Sequence, residues 1–502
     1  MSLKRLFAKK PIALIQAESA QGELKRSLTA TNLISLGIGC IIGAGIFVMT
    51  GTAAAQYAGP AIVLSFLLAG LSCAFAAMCY GELSAMLPVS GSAYSYAYAS
   101  LGEIFAWVMG WLLLLEYGIA GSTVAVAWSG YVVSFLANLH IVIPPQWTVA
   151  TNLPVTLADG TMVKGIFNVP AFLAIVGVTS LLVVGVKESA NFNNVIVVVK
   201  VLVVLLFIGI GVFYVNPANW HPFIPDYVPE MKNAAGETHA FGGWTGILHG
   251  ASIVFFAYVG FEAVSTAAQE AKNPQRDIPI GIIGSLGVCT VLYILVSLVL
   301  TGIVKYSTLD NPAPIATAVD AIGLPWLAYV VKIGAICGLS SVMLVLMYGQ
   351  TRIFYTMAKD GLLPRAFSTV HSRFKTPWIN TLVVGAVSGV VAGMTPIDDL
   401  GDLVNLGTLM AFTIICFTVL YLRIKEPQLA RPFQVPYPKV TPLLGMAFCG
   451  LLIASLWKTF IMLIPYFVLG FIIYFVYGQH NSRLRKEGTA IAKDVLMSPA
   501  AH

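Results

Sequence analysis

The chain has little charge: 22 acidic and 28 basic residues in 502, so 10% of positions are charged while 58% are hydrophobic. So few charges cannot cover a soluble domain of this size, and the mean hydropathy of +0.85 points to a polytopic membrane protein. Cysteine and histidine are also scarce, at seven each. Cys40, Cys73, Cys79, Cys289, Cys337, Cys416 and Cys449 all lie in apolar runs, which excludes a disulfide framework and a Cys-x-x-Cys metal site. The histidines have no paired spacing; only His249 has an apolar setting, and a structural hydrogen bond is expected of it. An intramembrane enzyme would need a nucleophile–base pair or a metal cluster, and the sequence offers neither; no soluble stretch is long enough for a receptor's signalling module. No catalytic residue, metal or cofactor is therefore expected.

What the chain does have is long apolar runs. A bilayer helix needs about 20 apolar residues, and that length predicts twelve spans, near 31–56, 60–87, 101–138, 169–187, 191–215, 244–271, 278–304, 326–358, 377–395, 402–423, 439–460 and 463–478. The start is basic and amphipathic and runs into a full span, so no cleavable signal peptide is expected. With the N-terminus inside, 22 of the 28 Lys and Arg residues fall in cytoplasmic segments, among them Lys187 and the run from Arg352 to Lys375. Only Lys164, Lys232 and Lys305 fall outside, and Lys200, Lys332 and Lys458 lie within spans. By the positive-inside rule this predicts an inner or plasma membrane protein with both ends in the cytoplasm, and the basic balance leaves no role for nucleic acid.

The first span is unusual. Gly37-Ile38-Gly39-Cys40-Ile41-Ile42-Gly43-Ala44-Gly45 carries four glycines in the middle of an apolar run, which predicts a broken helix. Close packing through a Gly-x-Gly face is the alternative. A backbone break at bilayer depth is tolerated only where it is buried in protein or lines a cavity. The sixth span has a second interruption at Tyr258-Val259-Gly260-Phe261-Glu262. Broken spans five apart are the sign of two five-helix halves related by an inverted repeat. The expected fold is all-α, with a first repeat over 31–215, a second over 244–423, two further helices over 439–478, a cytoplasmic N-terminus of 1–30 and a tail of 479–502.

Two breaks offer two kinds of backbone group. The amides of Gly43, Ala44 and Gly45 open a helix half and suit a carboxylate. The carbonyls around Ile38 to Ile41 and Phe256 to Val259 end helix halves and suit an ammonium group. A ligand bearing both charges a few ångströms apart is an α-amino acid. Glu116 of span three, Glu262 of span six and the middle of span eight around Leu346 are expected to line the remaining walls. Glu82 is read as structural, Arg352 as an inside anchor, and Val89–Tyr94 as a turn. Lys200 lies about nine residues into span five, roughly 13 Å deep, too far in for easy snorkelling. With Ser340 and Ser341 of span eight it can stand where sodium-driven architectures hold their cation, which predicts proton coupling.

These residues resemble the amino acid–polyamine–organocation transporter superfamily, and within it the bacterial members of the cationic amino acid transporter group. The similarity rests on 37–47, Pro88-Val89-Ser90-Gly91-Ser92-Ala93-Tyr94, Phe256 to Glu262, Asn273-Pro274-Gln275-Arg276-Asp277-Ile278-Pro279 and Asp360-Gly361-Leu362-Leu363-Pro364, spread over about residues 30 to 480. It implies a five-plus-five inverted-repeat core with two additional helices, working by alternating access. It also implies that Gly43 and Gly45 bind the substrate carboxylate, that Ile41, Phe256, Ala257 and Val259 bind its amino group, and that Lys200 replaces the sodium site. Ala44 stands where similar proteins often carry threonine or serine, and Glu262 where aspartate is usual. The expected function is proton-coupled uptake of neutral and cationic L-amino acids, with exchange lacking net proton coupling as the alternative.

Overall fold

Thr29 starts the first helix: its hydroxyl accepts from the Asn32 amide while the Asn32 side chain accepts from the Thr29 amide, a reciprocal cap. Helix α1 (Ala30–Ile41) then runs for 12 residues and stops, because Ile42 turns extended at φ −71° and ψ 97°. The chain rewinds as α2 (45–58), whose turns at Gly45–Met49 and Ala54–Ala58 are wider than α-helical. This is the computed structural model of the chain, and it describes residues 6–11, 15, 26–89, 92–157, 161–185, 190–232 and 238–486. Much of the expected N-terminal segment 1–30, the tail beyond 486, Ser90, Gly91 and Lys187 lie outside the described residues.

Gly59, at φ +59°, turns α2 into α3 (Ile62–Met86) in a conformation that glycine adopts without penalty. There follow α4 (Ser92–Ser100), α5 (Glu103–Asn138), α6 (Val169–Val184), α7 (Ala190–Gly211) and α8 (Gly243–Val254). Then come α9 (Pro274–Ile303), α10 (Pro314–Ile322), α11 (Pro325–Lys359), α12 (Trp378–Met394), α13 (Ile397–Lys425), α14 (Val440–Ser455) and α15 (Trp457–Ile473). Among the described residues, eight helical runs are long and apolar enough to cross a membrane, and four apolar helices are shorter. The shorter ones are α1, α6, α12 and α14.

Three local expectations change. Ser92–Ser100 is helical where a turn is expected over its first residues, and its tyrosines are buried against neighbouring helices. The fold is not purely helical: β1 (Pro154–Thr156) pairs antiparallel with β2 (Met162–Lys164), and β3 (Val228–Lys232) with β4 (Thr238–Phe241). Both hairpins lie in connectors, where paired backbone replaces the helical bonds that short polar stretches cannot sustain. Helix α13 begins at Ile397, before the expected 402, with Asp398 and Asp399 in its first turn, where the helix dipole favours them.

Two inner packings position the site. Helix α5 lies along α11, and α9 packs against both α1 and α3. At one corner the two described ends of the chain meet. Residues 6–10 are stitched to the connector before α5: the Glu103 amide donates to Ala8 and the Lys10 amide to Tyr98, at 3.0 and 3.2 Å. Lys10 Nζ lies 2.8 Å from Asp360, which also accepts from the Tyr94 hydroxyl. Buried Glu103 is held by Arg485 at 2.8 Å and by the hydroxyls of Tyr98, Tyr474 and Ser482.

Candidate functional site

The two interruptions face each other. After α8 the chain tightens through Phe255–Tyr258, turns extended at Val259 (ψ 132°), passes Gly260 at φ +117°, and continues tightly wound over Phe261–Ala267. A Cβ on Gly45 would stand 2.1 Å from the Ala257 Cα, and one on Gly260 3.0 Å from the Cys40 backbone. Glycine at 45 and 260 is therefore what lets the broken backbones touch. Gly43 faces helix α11 instead, where a Cβ would lie 3.3 Å from the Val342 methyls. Helix α2 restarts just after Gly43, and the Phe47 amide donates back across the restart to the Gly43 carbonyl at 3.3 Å, so the amides preceding it stand at the open start of a helix. On the opposite side, the Ile41 and Ala257 carbonyls converge on a single group, the Tyr293 hydroxyl, at 2.9 and 2.8 Å. A hydroxyl has one proton, so it cannot fully satisfy both acceptors.

The ionisable residues take distinct positions around the breaks. Lys200, fully buried on α7, donates to the Gly39 carbonyl of α1 at 2.8 Å, and its stem packs on Gly338 of α11. Glu262 folds back over the sixth-span break: one oxygen accepts from the Gly260 amide at 2.9 Å and the other from the Tyr117 hydroxyl at 3.4 Å. It thereby caps the helical turn it belongs to. Glu116 is also fully buried, yet among the described residues neither of its oxygens has a hydrogen-bond partner. Leu346 is buried in α11. Ser340 and Ser341 bond away from Lys200: Ser341 donates to Gly338, and Ser340 donates to Ile336 and accepts from the Trp128 indole at 2.9 Å. Phe256 and Val259 are buried beside Ala257, and Ala44 beside Gly43. Nothing here forms a group of three or more metal-ligating side chains among the described residues.

Residues 28–478, most of the chain, match the amino acid permease family. The chain belongs to that family. The permease is 45% identical to a methylthioribose transporter of Bacillus subtilis over 488 residues, covering 96% of this chain and all of that one. It is 44% identical to the branched-chain amino acid permease BcaP of the same organism, over 96% of this chain and 99% of that protein. It is 38% identical to the vacuolar cationic amino acid transporter 4 of Arabidopsis thaliana, over 81% of this chain and 64% of that protein. These relatives are transporters and permeases, not enzymes.

The structure brings into the permease's centre several residues that sequence reasoning passed over. Tyr293 of α9 ties the two breaks together, Tyr131 of α5 donates to the Phe47 carbonyl at 2.8 Å, and Asn405 of α13 donates to Ile253 at 3.2 Å. The missed signal is general: a hydroxyl or amide inside an apolar run must find a partner, and broken helices supply free carbonyls. Outside the centre, Glu82 is structural, holding Arg423 at 2.5 Å and the Val435 amide at 2.9 Å. Arg352 stacks over Tyr348, 4.8 Å from the ring centroid. His249 stacks on Tyr57 at 5.9 Å, in place of the hydrogen bond expected of it.

Proposed function

We propose that this member of the amino acid permease family takes up L-amino acids, neutral or cationic, by proton-coupled alternating access. In this reading twelve spans cross the plasma or inner membrane with both ends in the cytoplasm, and the five-plus-five repeat places the two breaks at the centre. Gly43, Ala44 and Gly45 receive the substrate carboxylate; Ile41, Phe256, Ala257 and Val259 receive its ammonium; Leu346 and Glu116 line the side-chain space. The observation that carries the reading is the Lys200 ammonium on the Gly39 carbonyl, 2.8 Å away, one turn before the break in α1.

That contact couples a proton to the first break. A charged Lys200 pulls on the α1 carbonyl, and a neutral one releases it, so the proton biases how α1 sits against α7 and α11. Glu116, with no partner for either oxygen, is assigned to the positive charge of a cationic side chain or to a second proton. Ser340 and Ser341 lie on the helix that also packs against Lys200 and are kept as supporting residues of the coupling region.

Purified protein in liposomes, given an inside-alkaline pH gradient and no internal substrate, should accumulate labelled amino acid. Uptake only when amino acid is loaded inside would establish exchange instead and remove the coupling assignment. The 45% identity to a methylthioribose transporter favours a second reading, in which the cargo is an uncharged thioether sugar. Competition of amino acid uptake by methylthioribose separates the two.

A further inference from the structure

We propose that the groove between the start of α9 and the connector following α13 binds an anionic glycerophospholipid. The groove has a volume of about 640 Å³ and is lined by Gln275, Arg276, Pro279, Ile280, Ile283 and Phe433. Its two ends differ in chemistry. At the polar end Arg276 is exposed and, among the described residues, its guanidinium has no hydrogen-bond or ion-pair partner. At the apolar end Ile280 and Ile283 are 40% and 38% exposed, on the outer face of an apolar helix. From Arg276 to Ile283 is seven residues, roughly 10 Å along the helix axis. That is the arrangement a phosphate followed by an acyl chain requires.

The opposite wall is fixed in place. Glu82 accepts from Arg423, pairs with Arg431 at 3.3 Å and accepts from the Val435 amide, so the stretch carrying Phe433 is pinned to α3. Phe433 also closes on Gly81, where a Cβ would lie 3.2 Å from the ring and 3.4 Å from Pro279. Arg423 and Arg431 are thus committed to a buried carboxylate, while Arg276 remains available at the groove mouth. Guanidinium binds phosphate through paired N–H donors, and a basic site at a membrane surface prefers a headgroup with net negative charge. A zwitterionic headgroup brings its own cation and gains less from Arg276. The assignment rests on the chain being a membrane protein and not on which solute it carries.

Native mass spectrometry of the purified full chain, titrated with dioleoyl phosphatidylglycerol or dioleoyl phosphatidylcholine, tests it. The wild type should retain phosphatidylglycerol about fivefold better, the ~1 kcal/mol of one cation at a membrane surface. Arg276→Gln should abolish that preference, Ile280→Trp should lower retention of both lipids by filling the groove, and Lys272→Gln, an exposed cation outside the lining, should leave both unchanged. Each variant is first shown to unfold at the wild-type temperature. Should Ile280→Trp fail that check, the comparison of Arg276→Gln with Lys272→Gln still decides. Equal retention of the two lipids by the wild type, an unchanged preference in Arg276→Gln, or a loss in Lys272→Gln as large as in Arg276→Gln would overturn the assignment. So would displacement of phosphatidylglycerol by a sterol.

Discussion

At Lys200 the donor and its acceptor belong to different helices, α7 and α1, so the side chain both holds the break and can let it go. Lys200→Ala should keep measurable substrate binding in a thermal-shift assay while uptake driven by a pH gradient falls to background; unaltered uptake would remove the coupling role. The glycines at the break separate by what they face. Gly45→Ala places a methyl against the Ala257 backbone and should cost about 3 kcal/mol or more of stability, read as a fall in unfolding temperature. At Gly43 a Cβ would lie 3.3 Å from the Val342 methyls, side chain and not backbone, so Gly43→Val should fold yet lose its substrate-induced thermal shift. Tyr293→Phe leaves two buried carbonyls without their shared donor, a loss of roughly 1–3 kcal/mol in chemical or thermal unfolding. Gly43, Gly45, Lys200 and Glu116 were legible because glycine pairs and charges are conspicuous in apolar runs. Tyr293 was not, since nothing in a single sequence says which carbonyls a buried hydroxyl will reach.

Among the elements, the interruptions in spans one and six stood out in the sequence, and the chain departs from helical winding at both Ile42 and Val259–Gly260. Hydropathy placed the ends of the apolar helices to within about six residues, because the bilayer imposes one length and one composition on each. It could not place Ser92–Ser100, whose small and aromatic residues make neither an apolar run nor a clear turn. Nor could it find the strap formed by residues 6–10, because three of its bonds are backbone to backbone and carry no residue signature. Lys10→Ala would leave Asp360 half-satisfied in a nearly buried position, where breaking a pair costs about 3 kcal/mol. Proteolysis near the N-terminus should then be faster than in the wild type, and Lys10→Arg should restore protection.

At the scale of the whole molecule, three buried carboxylates draw together partners from distant parts of the described chain. Glu82 gathers residues near 423, 431 and 435; Asp360 gathers Lys10 and Tyr94; Glu103 gathers Tyr474, Ser482 and Arg485. Family membership was legible from motifs spread through the chain, whereas these long-range pairings had no pattern by which to be found. Glu103 has a consequence for biogenesis. Three of the groups that neutralise or solvate its carboxylate are among the last described residues of the chain. A nascent polypeptide therefore lacks the counter-charge for that acid until Arg485 has been made, and a premature stop just before codon 474 should yield protein that is inserted and then degraded.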